Sequence, residues 1–131
     1  MNTITVRHHS EASTVPEFVF PMALGYDIFS SETKIVEIGK KSFVDTSISI
    51  KVPEGCYAHI ANKPSLLSIG INVEGPIFWP GYFGYLKIVL QNNGSYNLPI
   101  MASDKIATLV LLPMDPPIIA LMQDEAAVQE S

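Results

Sequence analysis

Basic side chains are scarce in this sequence of 131 residues. It contains eight lysine and arginine residues against thirteen aspartate and glutamate residues, and Arg7 is its only arginine. The formal net charge at neutral pH is therefore −5. Because proteins that follow a nucleic-acid backbone need clusters of cationic side chains, we expect neither DNA nor RNA as a partner.

Cysteine and long apolar runs are missing as well. Cys56 is the single cysteine, so no disulfide can form within the chain, and this favours a reducing compartment. No stretch approaches the roughly 20 apolar residues of a membrane span, and residues 1–13 lack the apolar run typical of a signal peptide. We therefore expect a soluble, cytoplasmic protein that does not bind membranes.

Helical periodicity is the third absence, and strand patterns take its place. In VDTSISIKV (44–52), Ile48, Ile50 and Val52 alternate with polar residues, which is the period of two of a half-buried strand. Ten prolines and eight glycines interrupt the chain throughout. The sequence predicts an all-β fold of short strands, a barrel or a sandwich. Further β-branched and aromatic runs occupy residues 56–61, 85–92 and 105–114.

The length of the chain predicts one domain that covers residues 1–131. From about residue 116 to residue 131 the sequence changes character. It begins there as an apolar, proline-rich segment and ends in a polar tail. We expect this part to form a carboxyl-terminal arm that either crosses to a neighbouring subunit or packs on its own domain.

Four stretches, read in order, resemble the first four motifs of the trimeric dUTPase family, which shares its fold with the dCTP deaminases. The spacing from Ile60 to Asn92 follows the pattern of that family without a gap. The resemblance implies a jelly-roll-like β-barrel that assembles as a homotrimer, with each active site built from more than one subunit. The stretches are ALGYDIFS (23–30), VPEGCYAHIANKPSLLSIGINV (52–73), EGPIFWPGYFGYLKIVLQN (74–92) and ASDKIATLVLLP (102–113).

The third motif departs from the family pattern at the centre of the chemistry. In the family, a water-activating aspartate lies three residues before a tyrosine that packs against the deoxyribose. Tyr82 matches that tyrosine, but Trp79 takes the place of the aspartate. An indole cannot accept a proton at neutral pH, so this position has no general base. We expect Ile77, Trp79 and Tyr82 to line a ligand site with an enlarged stacking surface.

The phosphate-binding residues of the family are changed too. Its second-motif arginine and serine fall on Lys63 and Pro64, which keep one charge but lose the guanidinium fork and a backbone N–H. Ser65 is expected to keep one contact. Asp27 and Asp104 match acidic residues of the first and fourth motifs and are expected to bind ligand. We expect no cofactor, except Mg²⁺ if both aspartates keep the family role.

The fifth motif of the family, a glycine-rich lid with an arginine, is absent, because no glycine follows Gly94. The combined loss of base, phosphate donors and lid predicts a pseudo-enzyme without catalytic residues. We expect it to bind a nucleotide or nucleotide-like ligand in a pocket between subunits, in a sequestering or regulatory role. Degenerate chains of this kind suggest a virus or phage, which would place the protein in the host cytoplasm or nucleus.

Two other interpretations stay open. The aromatic hairpin 76–85 could expose an apolar patch that binds a protein partner, since tryptophan and tyrosine are frequent anchors of interfaces. Alternatively, the chain is an active, dUTP diphosphatase-like nucleotide hydrolase that uses a relocated acid. Asp27, Glu74 and Asp104 are then the candidates for that acid.

Overall fold

The structure is a computed structural model that describes residues 3–18, 25–115 and 117–123. Across these ranges the chain forms eleven strands and one short helix, which confirms the predicted all-β fold. The elements are β1 (Thr5–His8), β2 (Glu17–Phe18), β3 (Tyr26–Phe29), β4 (Lys34–Val36), β5 (Lys41–Lys51), β6 (Cys56–Ala61), α1 (Pro64–Leu67), β7 (Ile71–Glu74), β8 (Ile77–Phe78), β9 (Phe83–Asn92), β10 (Leu98–Ile100) and β11 (Lys105–Pro113).

The strands form two large antiparallel sheets and one small one. One large sheet has the order β1-β5-β9-β7, and the other has the order β2-β3-β11-β6-β8. Strands β10 and β4 pair separately as a two-stranded sheet. Since β5 and β9 lie in one sheet and β6 and β11 in the other, neighbours in space are often distant in sequence.

A single apolar core joins the inner faces of the two large sheets. Leu86, Ile88 and Leu90 point inward from β9, and they share one cluster with Ile60 on β6 and Leu109 on β11. Each is almost completely buried, and burial of such a side chain stabilises the fold by about 1.5–3 kcal/mol. The core therefore depends on both sheets, as a closed sandwich or barrel requires.

Strand β5 follows the predicted alternation but contains an irregularity. Ile48 and Ile50 are buried as expected. The register with β9 shifts between Asp45 and Ser49, and Ser47 adopts a φ of 54°. The Asp45 carboxylate accepts the backbone N–H of Ser47 at 2.8 Å, and this local bond stabilises the unusual conformation.

The predicted carboxyl-terminal arm is described only in part. Residues 117–123 form no strand and are exposed, whereas Pro116 and residues 124–131 lie outside the described residues. Residues 23–24, which begin the first motif, also lie outside them. No described helix has the length and apolar character needed to cross a membrane.

Candidate functional site

Three of the motifs meet in one charged cluster. Asp27 on β3 is almost buried, and β3 pairs with β11, which begins at Lys105. Lys63, just before α1, donates from Nζ to Asp27 Oδ1 at 2.7 Å. Lys105 Nζ lies 3.4 Å from Asp27 Oδ2. The cluster carries two positive charges against one negative charge, so it offers a net cationic site to an anion.

The structure confirms neither a ligand role for Ser65 nor one for Asp104, and it shows what each residue does in the fold. Ser65 is exposed on α1, two residues after Lys63. Asp104 closes a tight turn, because its Oδ2 accepts the backbone N–H of Met101 at 2.9 Å. Their ligand roles remain predictions.

An open cavity of about 380 Å³ lies beside this turn, between α1 and the β10–β11 connection. Asp104 and Lys105 supply its charged side chains, and Leu66 lines it from α1. The cavity therefore leaves space next to one of the two lysines that contact Asp27.

The aromatic hairpin forms a second group. Strand β8 pairs with β6, with Phe78 opposite Ala58. Residues 79–82 then make a turn in which Tyr82 donates its N–H to the Trp79 carbonyl at 3.0 Å. Gly81 has a φ of 81° and follows Pro80, which is the pattern of a type II turn. The sequence WPGY thus has a local reason to bend here.

The aromatic rings of this hairpin differ in exposure. Tyr82 is half-buried and stacks on Phe78 with ring centroids 4.5 Å apart. Trp79 is 67% exposed, and Ile77 is also exposed. The predicted hairpin residues are therefore close together in sequence and space, with a flat aromatic surface at the turn.

The predicted site residues separate into these two groups. Asp27 and Lys63 belong to the charged cluster, and Trp79 and Tyr82 belong to the hairpin. Within the described ranges, no hydrogen bond or ion pair joins one group to the other. The direct contacts of the predicted site residues therefore fall into two separate groups.

Sequence reasoning missed one acidic residue beside the hairpin. The Glu54 carboxylate packs against Gly81, since a Cβ placed on Gly81 would lie 2.7 Å from Glu54 Oε1. Glu54 belongs to the turn between β5 and β6, far from the hairpin in sequence. The only available signal was that β6 had to pair with the third motif, and that pairing cannot be read from local sequence.

Glu74, the third candidate for a relocated acid, lies outside both groups. It ends strand β7 and forms an ion pair with Lys41 of β5. Both side chains are exposed. Its engagement with Lys41 makes it a poor base for chemistry at the third-motif turn.

Asp27 and Asp104, named as Mg²⁺ ligands only on the condition that both keep the family role, do not form a metal site of their own. In the described part of the chain, no group of three His, Cys, Asp or Glu side chains comes together to hold a metal ion. Both oxygens of Asp27 face lysines, and Asp104 is engaged in its turn. The described residues do not fit a metal held by protein ligands alone.

Comparison with known proteins identifies relatives over most of the chain. The dUTPase family model matches residues 11–130. The deoxyuridine 5'-triphosphate nucleotidohydrolase of variola virus is 33% identical over 90 residues, which are 69% of this chain and 61% of the viral protein. A Schizosaccharomyces pombe protein named "Probable deoxyuridine 5'-triphosphate nucleotidohydrolase" is 32% identical over 126 residues, 95% of this chain and 90% of the yeast protein.

A solved structure agrees with the fold. A mutant dUTPase from phage phi11 of S. aureus superposes with a TM-score of 0.78 at 27% identity, covering 94% of this chain and 98% of the phage chain. That phage structure describes the coordination of a structural Mg(II) ion. The shared fold confirms the predicted dUTPase-like barrel.

The prediction of a non-catalytic pseudo-enzyme is wrong. The viral and yeast relatives are both named as nucleotidohydrolases, so these comparisons indicate an enzyme. The prediction rested on the combined loss of the base at Trp79, the phosphate donors and the lid, and the alternative of an active hydrolase with a relocated acid agrees better with these relatives. The structure shows that a carboxylate from another turn, Glu54, reaches the same hairpin.

Several independent observations agree on the family. The four motifs occur in the expected order, the two antiparallel sheets enclose one core, and the family match extends over nearly the whole chain. The chain therefore belongs to the dUTPase family.

Proposed function

We propose that this protein hydrolyses dUTP to dUMP and pyrophosphate. The observation that carries the proposal is the charged cluster of Lys63, Asp27 and Lys105, where three motifs of a dUTPase-family chain converge. The variola relative, of which the matched segment spans 61%, is named for this activity.

The cluster supplies the phosphate-binding function. Lys63 and Lys105 hold one carboxylate between them, so their combined charge is only half neutralised. An incoming triphosphate can take up the remaining positive charge, and each ammonium group can donate further hydrogen bonds. Lysine binds phosphate as a point charge, so two lysines can serve where the family uses a guanidinium fork.

The hairpin supplies the nucleoside-binding function. The stacked pair of Phe78 and Tyr82 gives a rigid ring surface for the deoxyribose. Trp79 adds an exposed indole at the turn. The ring of a base or sugar buries apolar area on such a surface without requiring a charged partner.

A complete site then needs two subunits. Because no hydrogen bond or ion pair joins the charged cluster to the hairpin within the described residues, we infer that each site combines the cluster of one subunit with the hairpin of another. This arrangement supports a homotrimer, in which a carboxyl-terminal arm that includes residues 117–123 crosses to a neighbour. The exposed apolar side chains of Ile118 and Ile119 favour such a contact over solvent.

Pyrophosphate release from dUTP tests the proposal. The purified full chain with dUTP and Mg²⁺ should turn over at about 1 per second or faster, which is ordinary for an enzyme. Lys63→Met should raise KM, because it removes a phosphate-binding charge, and dTTP and dCTP serve as substrate controls. Pyrophosphate release no faster than in protein-free buffer would show that the chain is not a dUTP hydrolase.

The exposed hairpin keeps a second candidate function, a protein-binding surface. Its support is the exposure of Ile77 and Trp79 at the same turn. The two functions make opposite predictions for Trp79→Ala. A nucleotide site loses affinity for dUTP, whereas a protein-binding surface leaves that affinity unchanged.

A further inference from the structure

We propose that Glu54 supplies the carboxylate that activates water in this reaction. It would act at the hairpin, where this chain has Trp79 at the position of the family's aspartate. This inference rests on the proposed function, because it assigns a residue of the same site.

The position of Glu54 is the first reason. Its carboxylate lies directly against Gly81, in the middle of the turn formed by residues 79–82. A Cβ on Gly81 would lie 2.7 Å from Oε1 and 3.2 Å from Oε2. The absence of a side chain at Gly81 therefore makes the space that the carboxylate occupies.

The backbone holds this arrangement in place. Gly81 donates its N–H to the Val52 carbonyl at 3.0 Å, and Val52 donates its N–H to the Tyr82 carbonyl at 2.8 Å. The turn that carries Glu54 is closed by the Cys56 N–H, which donates to the Pro53 carbonyl at 3.1 Å. The backbone two residues before Glu54 is thus fixed to the hairpin by the two hydrogen bonds of Val52, which hold the Glu54 turn beside Gly81.

The state of the other acids is the second reason. Asp27 is held by two lysines, Asp104 caps its own turn, and Glu74 is paired with Lys41. Glu54 makes no hydrogen bond or ion pair with any residue that the structure describes, and it is exposed. Its oxygens are therefore free to orient a water molecule, which a general base must do.

The chemical step is a hydrolysis that balances with water alone. The water oxygen forms a bond to the α-phosphorus while Glu54 accepts one of the water protons. The bond from this phosphorus to the oxygen that bridges to the β-phosphate breaks, and pyrophosphate leaves with that oxygen and its bonding electrons. The products are dUMP and pyrophosphate.

Glu54→Gln tests the proposal, because it keeps the shape of the side chain and removes its basicity. We expect kcat for dUTP to fall by about 10²- to 10⁴-fold, the contribution of a general base, while KM stays within a few-fold. The matched control is Glu37→Gln, another exposed acid, which should keep the wild-type kcat. A thermal-shift titration with dUMP checks that each variant is folded and still binds nucleotide.

A rescue experiment separates catalysis from structure. In the Glu54→Gln background, Trp79→Asp places a carboxylate at the family position, and we expect kcat of the double variant to be at least ten-fold higher than that of Glu54→Gln alone. A merely structural role for Glu54 would not be rescued by a second substitution at an exposed residue. Glu54→Asp, which shortens the side chain by one carbon, should give an intermediate kcat.

The outcomes distinguish this inference from the proposed function. An active wild type together with an equally active Glu54→Gln variant overturns the role of Glu54 and leaves dUTP hydrolysis standing. A wild type that releases no pyrophosphate overturns both. Loss of kcat in Glu54→Gln with unchanged binding and rescue by Trp79→Asp supports both.

Discussion

Asp27 shows how a single residue can serve both the fold and the proposed site. Asp27 is only 7% exposed, and an unpaired charge at such a depth would be costly. Lys63 and Lys105 remove that cost from two sides. The same two lysines are the proposed phosphate ligands, so binding of a triphosphate must compete with an existing ion pair.

Removal of the Asp27 charge should therefore destabilise the protein. We expect Asp27→Asn to lower the free energy of unfolding by about 1.5–3 kcal/mol, the usual value for a hydrogen bond to a charged partner. Urea denaturation followed by circular dichroism measures this difference. Glu37→Gln removes an exposed ion pair with Lys40 and should change the free energy of unfolding by less than about 1 kcal/mol. Equal effects of the two substitutions would contradict the assigned role of Asp27.

Tyr85 gives a prediction for alkaline pH. Burial raises the pKa of its phenol above 10.0, and the hydrogen bond to the Asp45 carboxylate raises it further. The folded state therefore holds this proton more tightly than the unfolded state, so the stabilisation is complete below pH 10 and is lost as the pH rises through the raised pKa. Above pH 10, the free energy of unfolding should fall more steeply for the wild type than for Tyr85→Phe. Parallel pH profiles would show that Tyr85 is not coupled to folding.

At the scale of the elements, the sequence predicts what is local and misses what depends on pairing between distant strands. Alternation of side chains in β5 is local, and the burial of Ile48 and Ile50 follows it. The register shift near Ser47 cannot be predicted from this alternation, because it arises from the positive φ of Ser47. Likewise, the motifs identified Trp79 and Tyr82, but only the strand register brings Glu54 to the same turn.

The loop after α1 contains a close approach that only glycine permits. Gly70 has a φ of 87°, and a Cβ there would lie 2.7 Å from Gly94 Cα. Gly39 has a similar φ of 75°, but a Cβ there would meet no atom within 4 Å. The two glycines therefore differ in crowding and not in backbone strain.

This pair allows strain and crowding to be measured separately. Gly39→Ala should lower the free energy of unfolding by about 1–2 kcal/mol, the cost of a left-handed residue with a Cβ. Gly70→Ala carries the same cost and adds about 1–3 kcal/mol for steric overlap with a backbone that cannot turn aside. Urea denaturation of both variants gives the difference directly. Equal losses of unfolding free energy in the two variants would mean that the backbone at Gly70 and Gly94 separates without energetic cost.

At the scale of the whole molecule, one chain exposes large apolar side chains in two regions of its surface. Ile118, Ile119 and Leu121 lie close together in sequence, and all three side chains are almost fully exposed. Trp79 and Phe83 are exposed on the aromatic hairpin, away from the carboxyl-terminal segment in sequence. An assembly that covers these side chains would gain about 25 cal/mol for each Å² of apolar area removed from water.

We expect a trimer in solution. Light scattering at micromolar concentration should give a mass near three times the 14.3 kDa of one chain. Deletion of residues 117–131 should lower this mass or weaken the assembly on dilution, because it removes the exposed apolar segment. A mass near 14.3 kDa for the full chain would contradict both the trimer and the division of each site between subunits.

Subunit mixing tests that division. Lys63→Met impairs the charged cluster and Glu54→Gln impairs the hairpin, so each variant alone should be weakly active. If each site takes its cluster and its hairpin from different subunits, co-refolded mixtures contain sites with both residues intact. Random assembly of equal amounts should restore about a quarter of the wild-type kcat/KM, which both substitutions lower, since each intact half is present with a chance of about one half. Activity no higher than the average of the two variants would place the whole site within one chain.

The chain contains one tryptophan, and it stands on the turn that Glu54 contacts. Because Trp79 is exposed and no other indole contributes, the fluorescence emission of the entire protein reports on this single turn. A nucleotide that covers the indole should shift the emission to shorter wavelengths and shield it from iodide. Trp79, at the position where the family has its aspartate, is therefore an intrinsic fluorescence probe with which nucleotide binding can be followed without a label.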